Sequence, residues 1–230
     1  MDGRKAVELE VYLDLLSQPC RAIHIFLNCN KIPHKVKTVA LRKGENRTPE
    51  YTKLNPMQKV PVMVDNDFVL TESDAILKYL ATKYDVPGNW YPRHPERRAR
   101  VDEYTAWHHT NTRPHAAKVF LMEVLLPQMT GQPTDPLKVE RALADLSDIL
   151  EKLENMFLKR QPFLCGDDIS LADLLAVCEL MQPLGGGRDI LKDHPKMLSW
   201  KSRVQSALGD SFDEAHTVLY SLRDRSKAKL

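Results

Sequence analysis

Hydrophobic and polar positions alternate near the start of the chain. In "ELEVYLD", Leu9, Val11 and Leu13 fall on one face and polar or half-polar side chains on the other. Successive side chains of a strand point to opposite faces, so this segment predicts a β-strand. The segments "HKVKTVAL", "VPVMV" and "FVL" predict three further strands, and the "DND" between the last two predicts a hairpin.

Helical spacing separates these strands. Apolar residues recur at helical spacing from Cys20 to Leu27, and Thr48 before Pro49 predicts the start of a short helix. The segment "TESDAILKYLATKY" predicts an amphipathic helix. The first ~85 residues therefore have the predicted order β-α-β-α-β-β-α.

The rest of the chain has the spacing of helices only. One long helix, or two with a bend at Pro114, is expected from the segment that starts "ERRARVDEYTAWHH". Ser170 and Asp173 predict a capping box at the start of a later helix. We therefore predict an α/β domain over residues 7–88, a linker over 89–93 and an all-α domain over 94–230.

Composition narrows the choice of partners and compartment. The chain has 33 Lys and Arg against 31 Asp and Glu, a net charge of +2, which favours neither nucleic acid nor a membrane surface. No apolar run approaches the ~18 residues of a membrane span, and the N-terminus does not resemble a signal peptide. The four cysteines lie in apolar or helical segments without a framework of short spacings, so we expect a reduced, cytoplasmic protein.

The segment "SQPC", residues 17–20, lies where the first strand turns into the first helix. A cysteine at Ser17 would give the C-x-x-C of a thioredoxin-like redox site. Serine is also a good N-cap, and Pro19 suits the first turn of a helix, so simple capping remains an alternative for Ser17. Cys20 without a partner cysteine at position 17 cannot form the disulfide of such a site.

Two further segments of the first domain have polar groups suited to a peptide ligand. Pro61 lies within the apolar run "KVPVM", where proline favours an edge or a bulge and leaves the backbone of Val60 free to pair with an extended peptide. Ser73 is placed to cap a helix whose N-terminus suits a carboxylate, and Glu72 offers an acceptor for an ammonium. A harmless edge proline and an ordinary helix cap are the alternatives.

Two other features do not predict a site. His108, His109 and His115 lack the i, i+4 spacing of two metal ligands on one helix face, so we expect no metal. The glycines of "PLGGGRD" lack the Lys and Ser/Thr of a phosphate-binding loop, which favours a helix end.

The motifs S-x-P-C-R, V-P and E-S-x-A-I-L occur in this order within one domain. Together with "VYLDLLSQPCR", "NPMQKVPVM", "LTESDAILKYLATKY", "ARVDEYTAWHH" and "ISLADL", they extend over most of the chain. In these motifs the chain resembles the theta class of the glutathione transferases. The resemblance implies a thioredoxin-like first domain, an all-helical second domain and a homodimer.

The resemblance also implies an activity. Members of the class conjugate glutathione, as co-substrate, to small hydrophobic electrophiles such as alkyl halides and epoxides, without a metal or other cofactor, and reduction of organic hydroperoxides is a further activity to test. The hydroxyl of Ser17 would donate a hydrogen bond to the glutathione thiolate. The N-terminus of the first helix would act in the same direction, as would Arg21 if its side chain faces the site.

Residue roles follow from the matched motifs. By resemblance, Glu72 and Ser73 hold the γ-glutamyl end of glutathione, and Val60 pairs its backbone with the cysteinyl residue. Lys59 would reach the peptide carboxylate, and Asn46 stands where relatives often place His or Gln near the glycyl end. In the second domain the class places an arginine near the sulfur at the position of Arg113, and the preceding site residues are Thr110, Asn111 and Thr112.

Two other functions remain open at this stage. A non-catalytic family member could bind glutathione or hydrophobic ligands, and a thiol-disulfide reductase could act through Cys20. Well-known members of the class continue beyond the "RDRSKAKL" that closes this sequence, with a helix that covers the site, so we expect a more open electrophile pocket.

Overall fold

The structure, a computed structural model, describes residues 9–227. The chain divides after Val86 into two compact units. The predicted start of the first domain at residue 7 lies outside the described residues.

The first unit has the predicted order of strands and helices. Its elements are β1 (Leu9–Leu13), α1 (Gln18–Cys29), β2 (Lys35–Thr38), α2 (Pro49–Leu54), β3 (Val62–Asp65), β4 (Phe68–Thr71) and α3 (Ser73–Lys83). Short 3-10 turns at Leu41–Lys43 and Glu45–Arg47 precede α2. The thioredoxin-like order β-α-β-α-β-β-α is therefore confirmed.

The four strands form one mixed sheet in the order β2-β1-β3-β4. Strand β1 is parallel to β2 and antiparallel to β3, and β3 is antiparallel to β4. Helices α1 and α3 pack together, and both contribute fully buried side chains, such as Ile23 and Ile76, to the core with Val11 of β1. The alternation in "ELEVYLD" is confirmed, because Leu9, Val11 and Leu13 are all buried.

Two details of the predicted strands were wrong. Strand β2 ends at Thr38 on the edge of the sheet, so Val36 is exposed and Leu41 lies in a 3-10 turn. Pro61 is neither within a strand nor at a sheet edge, because β3 lies between β1 and β4 and starts at Val62. A strand paired on both sides cannot use a residue without an N–H, so β3 begins after the proline.

The described part of the second unit is mostly helical, as predicted. Its helices are α4 (Pro95–Thr110), α5 (Thr112–Phe120), α6 (Leu126–Thr130), α7 (Pro136–Lys152), α8 (Leu171–Leu180), α9 (Pro195–Leu208) and α10 (Asp210–Lys227). Within residues 9–227, no helix combines the length and apolar character needed to cross a membrane.

The sequence predicted a bend at Pro114, but the break between α4 and α5 lies at Asn111. Asn111 has φ −124° and ψ −77°, outside the helical region. Pro114 is the third residue of α5, where the missing N–H is harmless because the first N–H groups of a helix have no partner within it. Pro114 therefore lies in the first turn of α5 and does not cause the break between α4 and α5.

The predicted capping box of α8 is confirmed and belongs to a buried network. The carboxylate of Asp173 accepts hydrogen bonds from the Ser170 N–H (3.0 Å) and hydroxyl (3.0 Å), from the Leu164 N–H (2.8 Å) and from Trp200 Nε1 (2.8 Å). Asp173 is fully buried, and its burial raises the pKa of its carboxyl group while these donors lower it. This one side chain thus ties together α8, α9 and the segment before α8.

Candidate active site

Three segments of the first unit meet at one end of the sheet. Strand β1 ends here, with Tyr12 opposite Val62 at the start of β3, and β4 also ends here, with Thr71 opposite Val62. The residues that follow β1 and β4 and those that precede β3 therefore lie at the same end. These are the segments of Ser17, of Glu72 and Ser73, and of Val60.

Ser17 occupies the N-cap position of α1, but its hydroxyl does not cap the helix. The N–H of Ser17 donates to the Asp14 carbonyl (2.9 Å), and the N–H of Leu16 donates to Asp14 Oδ1 (2.9 Å). The side chain of Ser17 is half-buried. Simple capping therefore does not explain this serine, whose side chain forms a hydrogen bond with the thiol of Cys20.

Arg21 lies in the first turn of α1 and is fully buried. Its Nη1 donates to the carbonyl of Leu15 (2.8 Å) and to that of Leu16 (3.2 Å). The guanidinium thus holds the backbone that leads into Ser17. A direct contact between Arg21 and a ligand, which the sequence left open, is not what this arrangement favours.

Cys20 is fully buried one helical turn after Ser17. Burial raises the pKa of its thiol to about 11, and a smaller effect in the opposite direction comes from a hydrogen bond with the Ser17 side chain. A reactive cysteine needs a thiolate that is accessible to its substrate. Both its burial and its pKa therefore argue against a thiol-disulfide reductase that acts through Cys20.

The loop before β3 is held by side chains of α2 and its surroundings. The carbonyl of Lys59 accepts hydrogen bonds from Tyr51 Oη (2.7 Å) and Asn55 Nδ2 (2.8 Å), and the carbonyl of Gln58 accepts one from Asn46 Nδ2 (2.8 Å). These contacts fix the backbone directly before Val60. The amide nitrogen of Asn46 therefore serves the loop itself, a role that the sequence did not predict.

Val60 presents free backbone groups at the end of this loop. The Val60–Pro61 peptide bond is cis. Within residues 9–227, neither the N–H nor the C=O of Val60 has a hydrogen-bond partner. The neighbouring side chain of Lys59 is exposed and has no ion-pair partner in the same part of the chain. An extended peptide could pair with Val60 as an added strand.

Glu72, and not Ser73 as predicted, is the N-cap of α3. Its φ of 63° and ψ of 115° place a non-glycine residue in a strained region, and its side chain is exposed. Strain of this kind costs about 1–3 kcal/mol and is often found where a ligand binds. The backbone turn at Glu72 moves Ser73 into the first position of the helix.

Ser73 is 1% exposed, and its Oγ has no hydrogen-bond partner among the described residues. A buried hydroxyl without a partner is unfavourable by about 1–3 kcal/mol. It lies at the N-terminus of the 11-residue helix α3, where free N–H groups and the helix dipole favour an anion. Ser73 and the strained Glu72 together are typical of a carboxylate-binding position.

The four predicted residues of the second unit have different environments. The side chain of Thr112 is buried, with its hydroxyl 3.3 Å from Tyr104 Oη, whereas Thr110 is exposed. Asn111 uses its amide within the helix break, donating to the Trp107 carbonyl (3.0 Å) and to Thr110 (2.9 Å). Asn111 therefore supports the backbone at the helix break, whereas Thr112 contacts a buried side chain of α4.

Arg113 is half-buried and has no hydrogen bond or ion pair within residues 9–227. Its charge acts on His108, which is fully buried in the same unit. Burial and, to a smaller extent, the positive charges of His109 and Arg113 together lower the pKa of His108 to about 3. Although Glu179 Oε2 lies 3.9 Å from His108 Nε2, the imidazole is neutral near pH 7, and this contact is not an ion pair.

His108 is expected to make the protein less stable at acidic pH. An unfolded histidine has a pKa near ~6.5, so stability is fully present above that value and is lost as the pH falls towards about 3, by ~1.4 kcal/mol per pH unit. Between pH 7 and pH 5 the free energy of unfolding should fall by ~2 kcal/mol from this residue. Calorimetry at both pH values should show a smaller decrease in Tm for His108→Gln than for the wild type. An equal decrease, or the same change in the exposed control His94→Gln, would contradict this role.

Within residues 9–227, no group of three or more His, Cys, Asp or Glu residues is arranged to hold a metal ion.

The residues that hold the site were not predicted as a group. Asp14, Tyr51 and Asn55 bind backbone groups beside Ser17 and Val60, and none of the three was predicted as a site residue. A polar residue at the end of a strand, as at Asp14, is the one signal that the sequence offers.

Comparison with known protein families gives two matches. The family model described as the N-terminal domain of glutathione S-transferase matches residues 17–83, and the model of the C-terminal domain matches residues 115–207. The two matches include each of the predicted site residues except Thr110, Asn111, Thr112 and Arg113.

Individual proteins are similar over nearly the whole chain. Glutathione S-transferase theta-1 of Bos taurus is 48% identical over 221 residues, which cover 96% of this chain and 92% of the relative. The apo form of human glutathione-S-transferase T1-1 has a TM-score of 0.91 at 46% identity and covers 94% of this chain and 91% of its own. A human theta-class glutathione transferase in complex with the glutathione conjugate of 1-menaphthyl sulfate has a TM-score of 0.91 at 40% identity, with coverage of 96% and 91%.

Proposed function

The chain belongs to the theta class of the glutathione S-transferase family, and we propose that it conjugates glutathione to small electrophiles with Ser17 as the catalytic residue. The thiolate of glutathione attacks an electrophilic carbon and displaces its leaving group or opens its epoxide ring. The observation that carries the role of Ser17 is its hydroxyl, which lies at the N-terminus of α1 and does not cap that helix.

Ser17 would act by stabilising the thiolate and not as a nucleophile. A free thiol has a pKa of ~8.5, so only a minority of glutathione is ionised at neutral pH. A hydroxyl that donates a hydrogen bond to the sulfur favours the charged form, as does the positive end of the α1 dipole. Each unit by which the pKa falls corresponds to ~1.4 kcal/mol in favour of the thiolate.

The other residues that we propose to bind glutathione belong to segments at the same end of the sheet. Glu72 accepts the γ-glutamyl ammonium, while the Ser73 hydroxyl and the N-terminus of α3 bind its carboxylate. Val60 pairs its free N–H and C=O with the cysteinyl residue, and the exposed Lys59 reaches the glycyl carboxylate. Asn46, whose nitrogen holds the Gln58 carbonyl, supports this end of the site.

Ser73→Ala is expected to weaken glutathione binding without loss of stability. The hydroxyl has no partner within the described residues, so its removal breaks no internal hydrogen bond, but a hydrogen bond to a charged carboxylate contributes about 1.5–3 kcal/mol. Calorimetric titration should show a Kd for glutathione raised at least ~10-fold, with Tm unchanged or higher. The exposed Ser202→Ala is the matched control, and an unchanged Kd in Ser73→Ala would remove this contact.

The second unit would complete the enzyme. We propose that residues 7–88 bind glutathione and that residues 94–230, joined by a linker at 89–93, form the electrophile pocket. As the resemblance to the class implies, Arg113, whose guanidinium has no partner within residues 9–227, would supply the cation that this class uses near the sulfur. Thr110, Asn111 and Thr112 shape the helix break that carries it.

The setting of the enzyme is also part of the proposal. Glutathione is the co-substrate, and no metal or other cofactor takes part. The four cysteines are free, which supports a cytoplasmic protein. A homodimer is supported by Phe68 and Val69 on the edge strand β4, which are 46% and 43% exposed, and light scattering of the purified chain tests it.

The decisive experiment on function is glutathione-dependent product formation. An alkyl dihalide, an epoxide, 1-menaphthyl sulfate, an activated chloroarene and cumene hydroperoxide cover carbon and oxygen electrophiles. Turnover of at least one carbon electrophile supports the proposal, and turnover of the hydroperoxide adds a reductase activity. Glutathione binding without turnover of any of them would favour the non-catalytic binding protein instead.

A further inference from the structure

The turn between β1 and α1 is held from two sides by charged side chains, the half-buried Asp14 and the fully buried Arg21. Asp14 accepts the turn's N–H groups, and Arg21 binds its carbonyl groups. We propose that Arg21 is a positioning residue for the transferase reaction, which fixes the backbone of Ser17 so that its hydroxyl meets the glutathione sulfur. This inference rests on the function proposed for Ser17 and adds the residue through which that function is held in place.

Arg21 binds three consecutive carbonyl groups. Its side chain takes those of Leu15 (2.8 Å) and Leu16 (3.2 Å), and its backbone N–H takes that of Ser17 (3.1 Å). The planar guanidinium offers several donors in a fixed geometry, whereas a lysine offers one mobile ammonium. A rotation of this backbone would therefore break several hydrogen bonds at once.

Asp14 completes the arrangement on the other side of the turn. Its carbonyl accepts from the N–H of Ser17 (2.9 Å), its Oδ1 from the N–H of Leu16 (2.9 Å) and its Oδ2 from the N–H of Leu41 (2.9 Å). The last contact joins the turn to the segment that follows β2. The backbone that leads into Ser17 is thus held by hydrogen bonds from both Asp14 and Arg21.

A packing role alone does not explain the charge. Arg21 is fully buried, and a buried guanidinium is unfavourable unless its hydrogen bonds compensate, whereas an apolar side chain of similar volume would fill the space at lower cost. The charge also reaches the start of α1, since Arg21 lowers the pKa of the Cys20 thiol, although burial outweighs it. The same charge would favour a thiolate bound beside Ser17.

The ionisable groups around this turn would obscure the titration of the glutathione thiol if they changed charge near pH 7. They are Asp14, Cys20, Arg21, Tyr12 of β1 and, from α2, Tyr51. Burial raises the pKa of Cys20, Tyr12 and Tyr51, so all three are neutral near pH 7, and arginine remains charged. A pH profile of kcat/KM for the electrophile, measured around neutrality with saturating glutathione, therefore reports on the thiol of bound glutathione.

The test is a double-mutant cycle of Arg21→Lys and Ser17→Ala. Arg21→Lys keeps the charge but loses the fork, and we expect kcat/KM to fall about 10-fold at neutral pH, with the thiol pKa raised by about one unit. Binding of S-methylglutathione, which has no thiol proton, should be unchanged, because the head-group site is intact. The double variant should be no slower than Ser17→Ala, because Arg21 acts through that hydroxyl.

Each of the other outcomes overturns a specific part of the proposal. If Ser17→Ala slows the reaction and Arg21→Lys does not, only the role of Arg21 is lost. If the two losses simply multiply in the double variant, Arg21 does not act through Ser17. If Ser17→Ala has no effect, the proposed function of the serine fails, and the inference fails with it.

A separate control variant tests for general effects of an Arg→Lys substitution on the protein. Arg203→Lys is the matched control, because Arg203 also donates to a loop carbonyl, that of Pro162 (2.9 Å), in the second unit. It should leave the pH profile unchanged. If Arg21→Lys does not fold, Arg21→Gln takes its place, since glutamine removes the charge and keeps a side-chain N–H donor, and a pH profile identical to that of the wild type would then overturn the proposal.

Discussion

Ser17→Ala should lower the rate of glutathione conjugation roughly 100-fold at neutral pH while the protein remains folded. A hydrogen bond to a charged group contributes about 1.5–3 kcal/mol, and each 1.4 kcal/mol is a factor of about ten in rate. Since the hydroxyl makes no capping bond, Tm should change little. The measurement is kcat/KM at several pH values together with thermal unfolding.

The pH profile separates this role from a steric one. Without the hydroxyl, the thiol of bound glutathione should titrate nearer to its free value of ~8.5, so that raising the pH restores much of the activity. Ser202→Ala, which alters an exposed hydroxyl in α9, should have no effect. A rate in Ser17→Ala equal to that of the wild type would remove Ser17 from the mechanism.

Asp173→Ala should be the most destabilising single substitution considered for this protein. The carboxylate satisfies the N–H groups of Leu164 and Ser170 and the indole N–H of Trp200, all in a buried region. Each buried donor left without a partner costs about 1–3 kcal/mol. The free energy of unfolding should fall by ~4 kcal/mol or more, which corresponds to a decrease in Tm of roughly 10 °C.

Asp168→Ala provides the control for this prediction. Asp168 is exposed and lies in the loop just before α8, so its loss should change Tm by no more than ~2 °C. Differential scanning calorimetry of both variants measures the difference. An Asp173→Ala protein as stable as the control would show that the network around α8 contributes little to the fold.

Local patterns in the sequence were enough for the elements of the fold. The alternation at Leu9, Val11 and Leu13 and the capping box of Ser170 and Asp173 each depend on residues close in sequence, and both are confirmed. The break at Asn111 was missed because a proline in a helical segment has two interpretations. It is disruptive inside a helix, where it causes a kink, but it is favourable in the first turn, where Pro114 lies. Only the backbone distinguishes the two cases.

The motifs in the sequence pointed to candidate site residues but not to the residues that hold them in place. Ser17, Val60 and Glu72 lie in segments that meet because of the strand register. The inward side chain of Arg21 and the buried hydroxyl of Ser73 depend on how a turn and a helix start are packed, which no period of hydrophobic residues encodes. The sequence therefore offered candidates for the groups that would contact glutathione, but none for the residues that hold the backbone beside them.

The pKa of the glutathione thiol bound to the wild-type protein is the first quantity to measure. Ultraviolet absorbance of the thiolate, followed against pH with saturating glutathione, gives it directly and needs no electrophile. If Ser17 and the N-terminus of α1 stabilise the thiolate, the pKa should fall at least one unit below the ~8.5 of a free thiol. A bound thiol that titrates at or above its free value would contradict the proposed mechanism.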